Sequence, residues 1–165
     1  GYSLLVGFNP NSGGRWNQED SDRLYGYSDQ PGATAQWTQE QLLTDAEARI
    51  LSGEIDFSKL LKQKLRTFLG SDDACVGYSA SVLRHTEFFS LLCNGFYYAA
   101  FLLATGGAVQ VWRSRERGLL LLAPLYILGL TLAQMLVEVA GRYHYSMIPM
   151  LLLLGQGTWK RTGEE

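Results

Sequence analysis

The pattern of apolar and polar residues divides the chain into two unlike parts. Residues 1–83 are mostly polar, whereas leucine, alanine, phenylalanine and tyrosine dominate from there on, in apolar runs at residues 88–112, 118–140 and 143–159. A helix rises about 1.5 Å per residue and a bilayer's hydrocarbon core is about 30 Å thick, so the first two runs are long enough to span it. The third run would need a thinned bilayer or snorkelling ends.

The polar part predicts two or three short helices. Apolar residues recur at helical spacing within residues 34–51, and Asp56 is a suitable N-cap for a helix over residues 57–69. For that helix the sequence predicts an apolar face of Leu61, Leu65, Phe68 and Leu69 and a polar face of Lys59, Lys62, Lys64 and Arg66. Another short helix fits residues 18–27, and residues 1–8 fit a buried strand or the end of an earlier span.

Short basic segments predict the orientation. Arg113-Ser-Arg115-Glu-Arg117 separates the first two apolar runs, and Lys160-Arg161 follows the third. Basic residues in short loops mark the cytoplasmic side of a membrane, and both segments lie on that side if there are three spans. The sequence therefore predicts a mostly α-helical, multi-pass cell-membrane protein. Residues 1–83 are the expected extracytoplasmic segment, and residues 84–165 form the membrane domain with a cytoplasmic C-terminus.

The first residues of the chain and its net charge argue against some classes of protein. The first residue is glycine, and no basic region followed by a short apolar core opens the chain, so no signal peptide is recognised. We expect a C-terminal fragment of a longer protein. The net charge is −2 and the polar part is mildly acidic, which argues against nucleic-acid binding. Cys75 and Cys93 fit neither a metal site nor a redox pair, and a disulfide between them is not expected.

Ionisable residues stand between the last two apolar runs. Glu138, Arg142 and His144 lie where an unpaired charge costs several kcal/mol, which makes them candidate functional residues. A continuous helix would place Glu138 and Arg142 on one face. They would then form a structural ion pair, or Arg142 would bind an anion with its planar guanidinium. Tyr143, His144 and Tyr145 could add hydrogen bonds to a phosphate or a sugar, or the tyrosines could belong to an interfacial aromatic belt.

A second polar cluster lies near the start of the chain. Its members are Asn9, Asn11, Gly13, Gly14, Trp16, Asn17, Glu19 and Asp20. Amides, carboxylates and an indole suit carbohydrate binding, and they equally suit an exposed loop. Glu19, Asp20 and Asp22 could bind a divalent cation, although the EF-hand pattern is absent. No cofactor is certain, and a metal site at His85 and His144 is not expected. The pair Gly106-Gly107 predicts close helix packing.

One segment carries a family resemblance. EVAGRYHYSMIPMLLLL, residues 138–154, resembles the C-terminal region of polytopic GT-C glycosyltransferases of the family 39 kind, which include protein mannosyltransferases and lipid A aminoarabinose transferases. VGFNPNSGGRWNQED, residues 6–20, looks like an outer-loop segment of bacterial members. The resemblance implies an enzyme that moves a sugar from a polyprenyl-phosphate donor in the membrane to an extracytoplasmic acceptor, which is a lipid, a glycan or a protein.

The resemblance also implies a division of roles. Such enzymes invert the configuration at the anomeric carbon of the sugar and use a carboxylate base from the first outer loop. That loop is not expected within this chain, so the catalytic residue is unknown. The implied residues are Arg142, with Glu138, Tyr143 and His144 as its neighbours, and their implied role is to hold the donor phosphate or to order the outer loop above it. The alternative is a non-enzymatic membrane subunit of a transporter or of an envelope-assembly complex. Charged or broken helices at mid-membrane would favour it, and the apolar runs show little of this beyond Pro124 and Pro149.

Overall fold

The computed structural model describes residues 1–114 and 121–159, and within these ranges the chain is mostly helical and has no strand. The helices are α1 (Tyr2–Gly7), α2 (Gln18–Ser28), α3 (Ala35–Leu51), α4 (Phe57–Leu69), α5 (Ala74–Tyr78), α6 (Thr86–Ser114), α7 (Leu122–Leu136), a 3-10 helix (Gly141–Met147) and α8 (Ile148–Trp159). The predicted cytoplasmic segments at 113–117 and 160–161 fall largely outside the described residues. The predicted orientation therefore stays a prediction.

Contacts group the chain into two units. The first unit comprises Gly1–Phe68 and Leu132–Ala140, and the second comprises Leu69–Thr131 and Gly141–Glu165. This division is based on contacts within the chain and does not test the predicted boundary near residue 83 between the extracytoplasmic segment and the membrane domain. That boundary remains a prediction.

The polar part holds five helices rather than the expected two or three. The helices predicted over residues 34–51 and 57–69 are confirmed as α3 and α4. Their caps follow from side-chain chemistry, because the hydroxyl of Thr34 accepts from the Trp37 amide at 3.2 Å and the carboxylate of Asp56 accepts from the Lys59 amide at 2.9 Å. Of the two alternatives for residues 1–8 the strand was wrong, since this segment forms the short helix α1, and the end of an earlier span stays a prediction.

The core of the first unit is small. Leu5 of α1 packs with Leu42 and Ala46 of α3, and partly buried side chains of α1 and α2 cover them, namely Tyr2, Leu4, Leu24 and Tyr27. This small core packs α1, α2 and α3 together, but much apolar surface in the rest of the unit is exposed.

The predicted faces of α4 were wrong in two respects. The buried side chains are Leu60, Lys64 and Phe68, whereas Leu61 and Leu65 are exposed. The ammonium of Lys64 donates to two backbone carbonyls, to Gly7 at 3.1 Å and to Met135 at 2.8 Å. These acceptors lie at the C-terminal ends of α1 and α7, where the helix dipole favours a positive charge. Burial still lowers the pKa of Lys64 to about 8.

Gly14 is the glycine that this arrangement requires. Its φ is +75°, and a Cβ atom there would lie 2.9 Å from both the carbonyl oxygen of Gly7 and Cε of Lys64. Its own carbonyl accepts from the amide of Val139 at 2.9 Å. A side chain at this position would strain the backbone and displace the lysine.

In the second unit, α6 packs against α8. Their shared core contains Tyr97, Ala100, Ala104, Val111, Ala123, Leu151 and Leu154. Gly107 is buried at the crossing, and a Cβ atom there would lie 1.9 Å from the carbonyl oxygen of Leu154. The prediction that the Gly106-Gly107 pair allows close helix approach is confirmed at Gly107. Small residues at helix crossings have this role in membrane proteins as well.

One described helix, over Thr86–Arg113, is long and apolar enough to cross a membrane, judged by length and composition. The apolar helix α7 has 15 residues and ends at Leu136, so it is about 22 Å long and stops short of the predicted residue 140. Residues 143–147 of the third predicted run belong to the 3-10 helix, and α8 begins only at Ile148. Three complete spans are therefore not confirmed.

Candidate functional site

The 3-10 helix carries three of the four predicted site residues. Arg142, Tyr143 and His144 are consecutive on it, and they belong to the second unit. Glu138 belongs to the first unit, and its amide donates to the carbonyl of Ser3 at 2.8 Å. The continuous helix that would have joined Glu138 and Arg142 is absent, because α7 ends at Leu136 and residues 137–140 are not helical.

Arg142 is exposed and lies between aromatic rings. The centre of its guanidinium is 5.2 Å from the Tyr143 ring centroid and 5.7 Å from that of Tyr78, and one N–H donates to the Tyr78 hydroxyl. Both distances allow cation–π attraction. The guanidinium has five N–H donors, and the bond to Tyr78 uses one of them. The rings thus fix the position of the cation without neutralising its charge.

His144 is fully buried beneath this surface. Its Nε2 lies 3.0 Å from a carboxylate oxygen of Asp72, and its ring packs against Tyr97 at 4.8 Å and Tyr145 at 5.1 Å. In this conformation the His144 side chain is closed off from solvent, and its contacts fasten the 3-10 helix that presents Arg142. For this residue, contact with a donor phosphate and ordering of the outer loop both stay predictions.

The loop between α4 and α5 completes the support. The Asp72 amide donates to the side-chain oxygen of Asn94 at 2.8 Å, and the Asn94 amide group donates to Asp73 at 3.4 Å. The Cys75 amide donates to the hydroxyl of Tyr145 at 3.1 Å. These bonds tie the loop and α5 to α6 and to the 3-10 helix, and α5 carries Tyr78 at its end. Arg142 and Tyr78 therefore lie on two elements, the 3-10 helix and α5, that these hydrogen bonds join.

Sequence reasoning missed Asp72, Tyr78 and Asn94. A local signal existed for two of them: Asp72 follows the helix-ending Gly70, and Asn94 is an amide inside an otherwise apolar run. Nothing in the sequence pairs them with residues around position 144. Tyr78 carries no local signal at all, as an exposed tyrosine on a five-residue helix.

Part of the polar cluster near the start of the chain forms a hydrogen-bond network, whereas Asn11, Trp16 and Glu19 are exposed, so carbohydrate binding there stays a prediction. Asp20 is fully buried, and its carboxylate accepts from Arg49 at 2.7 and 3.1 Å, from Asn9 at 2.9 Å and from Asn17 at 2.8 Å. Burial raises the pKa of Asp20, but the hydrogen bonds and the charge of Arg49 outweigh it, so the pKa lies below its usual value. The Asp20 carboxylate is paired with Arg49, and the possible cation site of Glu19, Asp20 and Asp22 stays a prediction.

The described residues contain no group of three or more metal-ligating side chains. Compared with known protein families, curated proteins and solved structures, the chain matches none.

Proposed function

We propose that the chain is part of an integral membrane glycosyltransferase of the GT-C type. It would move a sugar from a polyprenyl-phosphate donor to an acceptor outside the cytoplasmic membrane. In this proposal residues 1–83 are extracytoplasmic, and α6, α7 and α8 belong to the membrane domain. The resemblance of residues 138–154 to such enzymes supports the proposal. The observation that carries it is the exposed guanidinium of Arg142, beside two aromatic rings and on the 3-10 helix that precedes the apolar helix α8.

The surface of α6 favours a membrane setting. Leu91, Leu102 and Trp112 project from this helix with exposed side chains, and only 17% of its most apolar stretch is buried. Contiguous apolar surface of this extent is rare on soluble monomers and marks contact with lipid or protein. A cation presented beside such surface is suited to an anion that is itself attached to a lipid.

Arg142 has the chemistry for a phosphate monoester or diester. A guanidinium offers two parallel N–H donors to phosphate oxygens, and charge-assisted bonds of this kind are about twice as strong as neutral ones. The rings of Tyr143 and Tyr78 lie within cation–π distance of the guanidinium. Their hydroxyl groups could reach the sugar or the phosphate of the donor. The base that deprotonates the acceptor hydroxyl is assigned to none of these residues.

We expect Arg142→Ala in the whole protein to lower sugar transfer at least about tenfold, since one charge-assisted hydrogen bond contributes about 1.5–3 kcal/mol. Transfer is measured as release of polyprenyl phosphate from a radiolabelled polyprenyl-phosphate sugar in isolated membranes. Arg84→Ala, which removes another exposed arginine of the second unit, is the matched control and should leave transfer unchanged.

Two results would contradict the proposal. One is transfer at the parental rate by Arg142→Ala protein that is inserted in the membrane in normal amount. The other is an equal loss for Arg84→Ala, which would point to a general effect of surface charge rather than to a phosphate site.

A further inference from the structure

Helix α4 exposes a line of large apolar side chains. Phe57, Leu61 and Leu65 recur every four residues and so lie on one side of the helix, with exposed fractions of 44%, 40% and 39%. We name these three residues the α4 stripe. The helix is not detached from its unit, because Leu60 on a neighbouring side and Phe68, in line with the stripe beyond its C-terminal end, are buried. The stripe is therefore a fixed surface feature of a packed helix.

Basic residues border the α4 stripe. Lys62 and Arg66 each follow a stripe leucine by one residue, so they lie along one edge of the stripe, and Lys59 lies further round the helix. All three side chains are exposed, and residues 57–69 contain no Asp or Glu. The exposed surface of α4 thus combines one apolar strip with basic and neutral polar side chains, and it has no acidic side chain.

The apolar stripe and the basic residues together favour one kind of binding partner for α4 over the others. A second copy of the chain docked face to face would bring Lys62 and Arg66 against the same residues, and like charges in contact are unfavourable. A neutral apolar protein surface would bury the stripe but leave the cations without partners. An anionic lipid surface satisfies both parts, because acyl chains accept the stripe while Lys and Arg extend their charged ends to phosphate groups.

We propose that α4 lies in the headgroup region of an anionic phospholipid bilayer, parallel to the surface. The α4 stripe enters the acyl boundary, and Lys62 and Arg66 bind lipid phosphates. Helices with an apolar face and a basic face bind membranes in this way, to a depth of about 5–10 Å. The inference goes beyond the proposed function, since it requires a bilayer but no sugar transfer.

Depth-dependent quenching tests the proposal. The environment-sensitive fluorophore NBD is attached to Leu61→Cys or to Gln63→Cys, in the full chain with Cys75→Ser and Cys93→Ala, in nanodiscs containing about a quarter phosphatidylglycerol. Gln63 is exposed and lies on nearly the opposite side of α4, two residues further on. Lipids with a doxyl group near the headgroup should quench NBD at position 61 at least about twofold more than at position 63, because a helix in the boundary places only one face at this depth.

Charge reversal tests the lipid class. Lys62→Glu and Arg66→Glu together should abolish the extra quenching at position 61, while circular dichroism shows unchanged helix content. Equal quenching at positions 61 and 63 would overturn the proposal. So would a blue-shifted emission at position 61 without doxyl quenching, which indicates a protein occupant. Extra quenching that survives charge reversal would overturn the role of anionic lipid. Each result is independent of the transfer assay.

Discussion

Asp20→Ala is expected to destabilise the first unit by about 3–5 kcal/mol, because it leaves the guanidinium of Arg49 partly buried without its carboxylate. The Asp20 carboxylate accepts four hydrogen bonds from three residues that come from the loop after α1, the start of α2 and the end of α3. Arg49 also donates to the carbonyl of Leu5 at 2.6 Å. One carboxylate thus connects three segments that share only a small apolar core.

Asp22→Ala is the matched control. Asp22 is exposed, lies two residues further along the same helix and accepts a bond from Gln18 at 2.7 Å, so its loss should change stability by about 0.5 kcal/mol or less. Urea unfolding is followed by tryptophan fluorescence in a chain with Trp112→Phe and Trp159→Phe, so that Trp16 and Trp37 report on the first unit. Similar midpoints for the two variants would refute the structural role of Asp20.

The same carboxylate predicts a pH dependence. The pKa of Asp20 is lower in the folded unit than in the unfolded chain, where an aspartate titrates near about 4. Its stabilising contribution is therefore complete above pH of about 4 and is lost as the pH falls through the folded pKa. The difference in stability between the parent and Asp20→Ala should accordingly be largest near neutrality and shrink in acid.

Gly107→Leu is expected to separate α6 from α8. A Cβ atom at Gly107 would lie 1.9 Å from the carbonyl oxygen of Leu154, and backbone atoms cannot move aside as a flexible side chain can. Overpacking usually costs about 1–3 kcal/mol, and a branched side chain against a backbone lies at the upper end or beyond. Gly106→Leu, at the exposed neighbouring position, is the control.

The thermal midpoint of the detergent-solubilised protein gives the readout. One kcal/mol corresponds to about 4–8 °C for a unit of fewer than a hundred residues, so Gly107→Leu should lower the midpoint by several degrees and Gly106→Leu should barely change it. Equal midpoints for the two variants would show that α6 and α8 do not approach as closely at Gly107 as the structure places them.

Local chemistry made much of the fold predictable. Thr34 and Asp56 cap helices by accepting a hydrogen bond from the backbone amide three residues later, and capping residues of this kind can be recognised in the sequence. The buried face of α4 was not predictable in this way, because Lys64 satisfies its ammonium with carbonyls that lie 57 and 71 residues away. A lysine in an amphipathic helix is normally exposed, so the sequence pattern favoured the wrong face.

The candidate site was predictable only in part. Arg142 could be singled out because a cation between apolar runs is unusual. Its surroundings could not, since Tyr78 lies 64 residues away and the Asp72 partner of His144 lies 72 residues away. No proline lies near Leu136 to predict that α7 ends there. Because the helix ends at Leu136, Glu138 lies outside the helix that was expected to carry both Glu138 and Arg142.

Direct binding of a polyprenyl phosphate tests the central proposal most simply. Native mass spectrometry of the whole protein in detergent compares a polyprenyl phosphate with the neutral polyprenol of the same length. We predict that the phosphate binds in preference to the alcohol, and that Arg142→Ala weakens phosphate binding at least about tenfold while Arg84→Ala does not, since only a charge-assisted contact is lost. Equal binding of the two lipids, or phosphate binding by Arg142→Ala at parental affinity, would contradict a role for Arg142 in holding the donor.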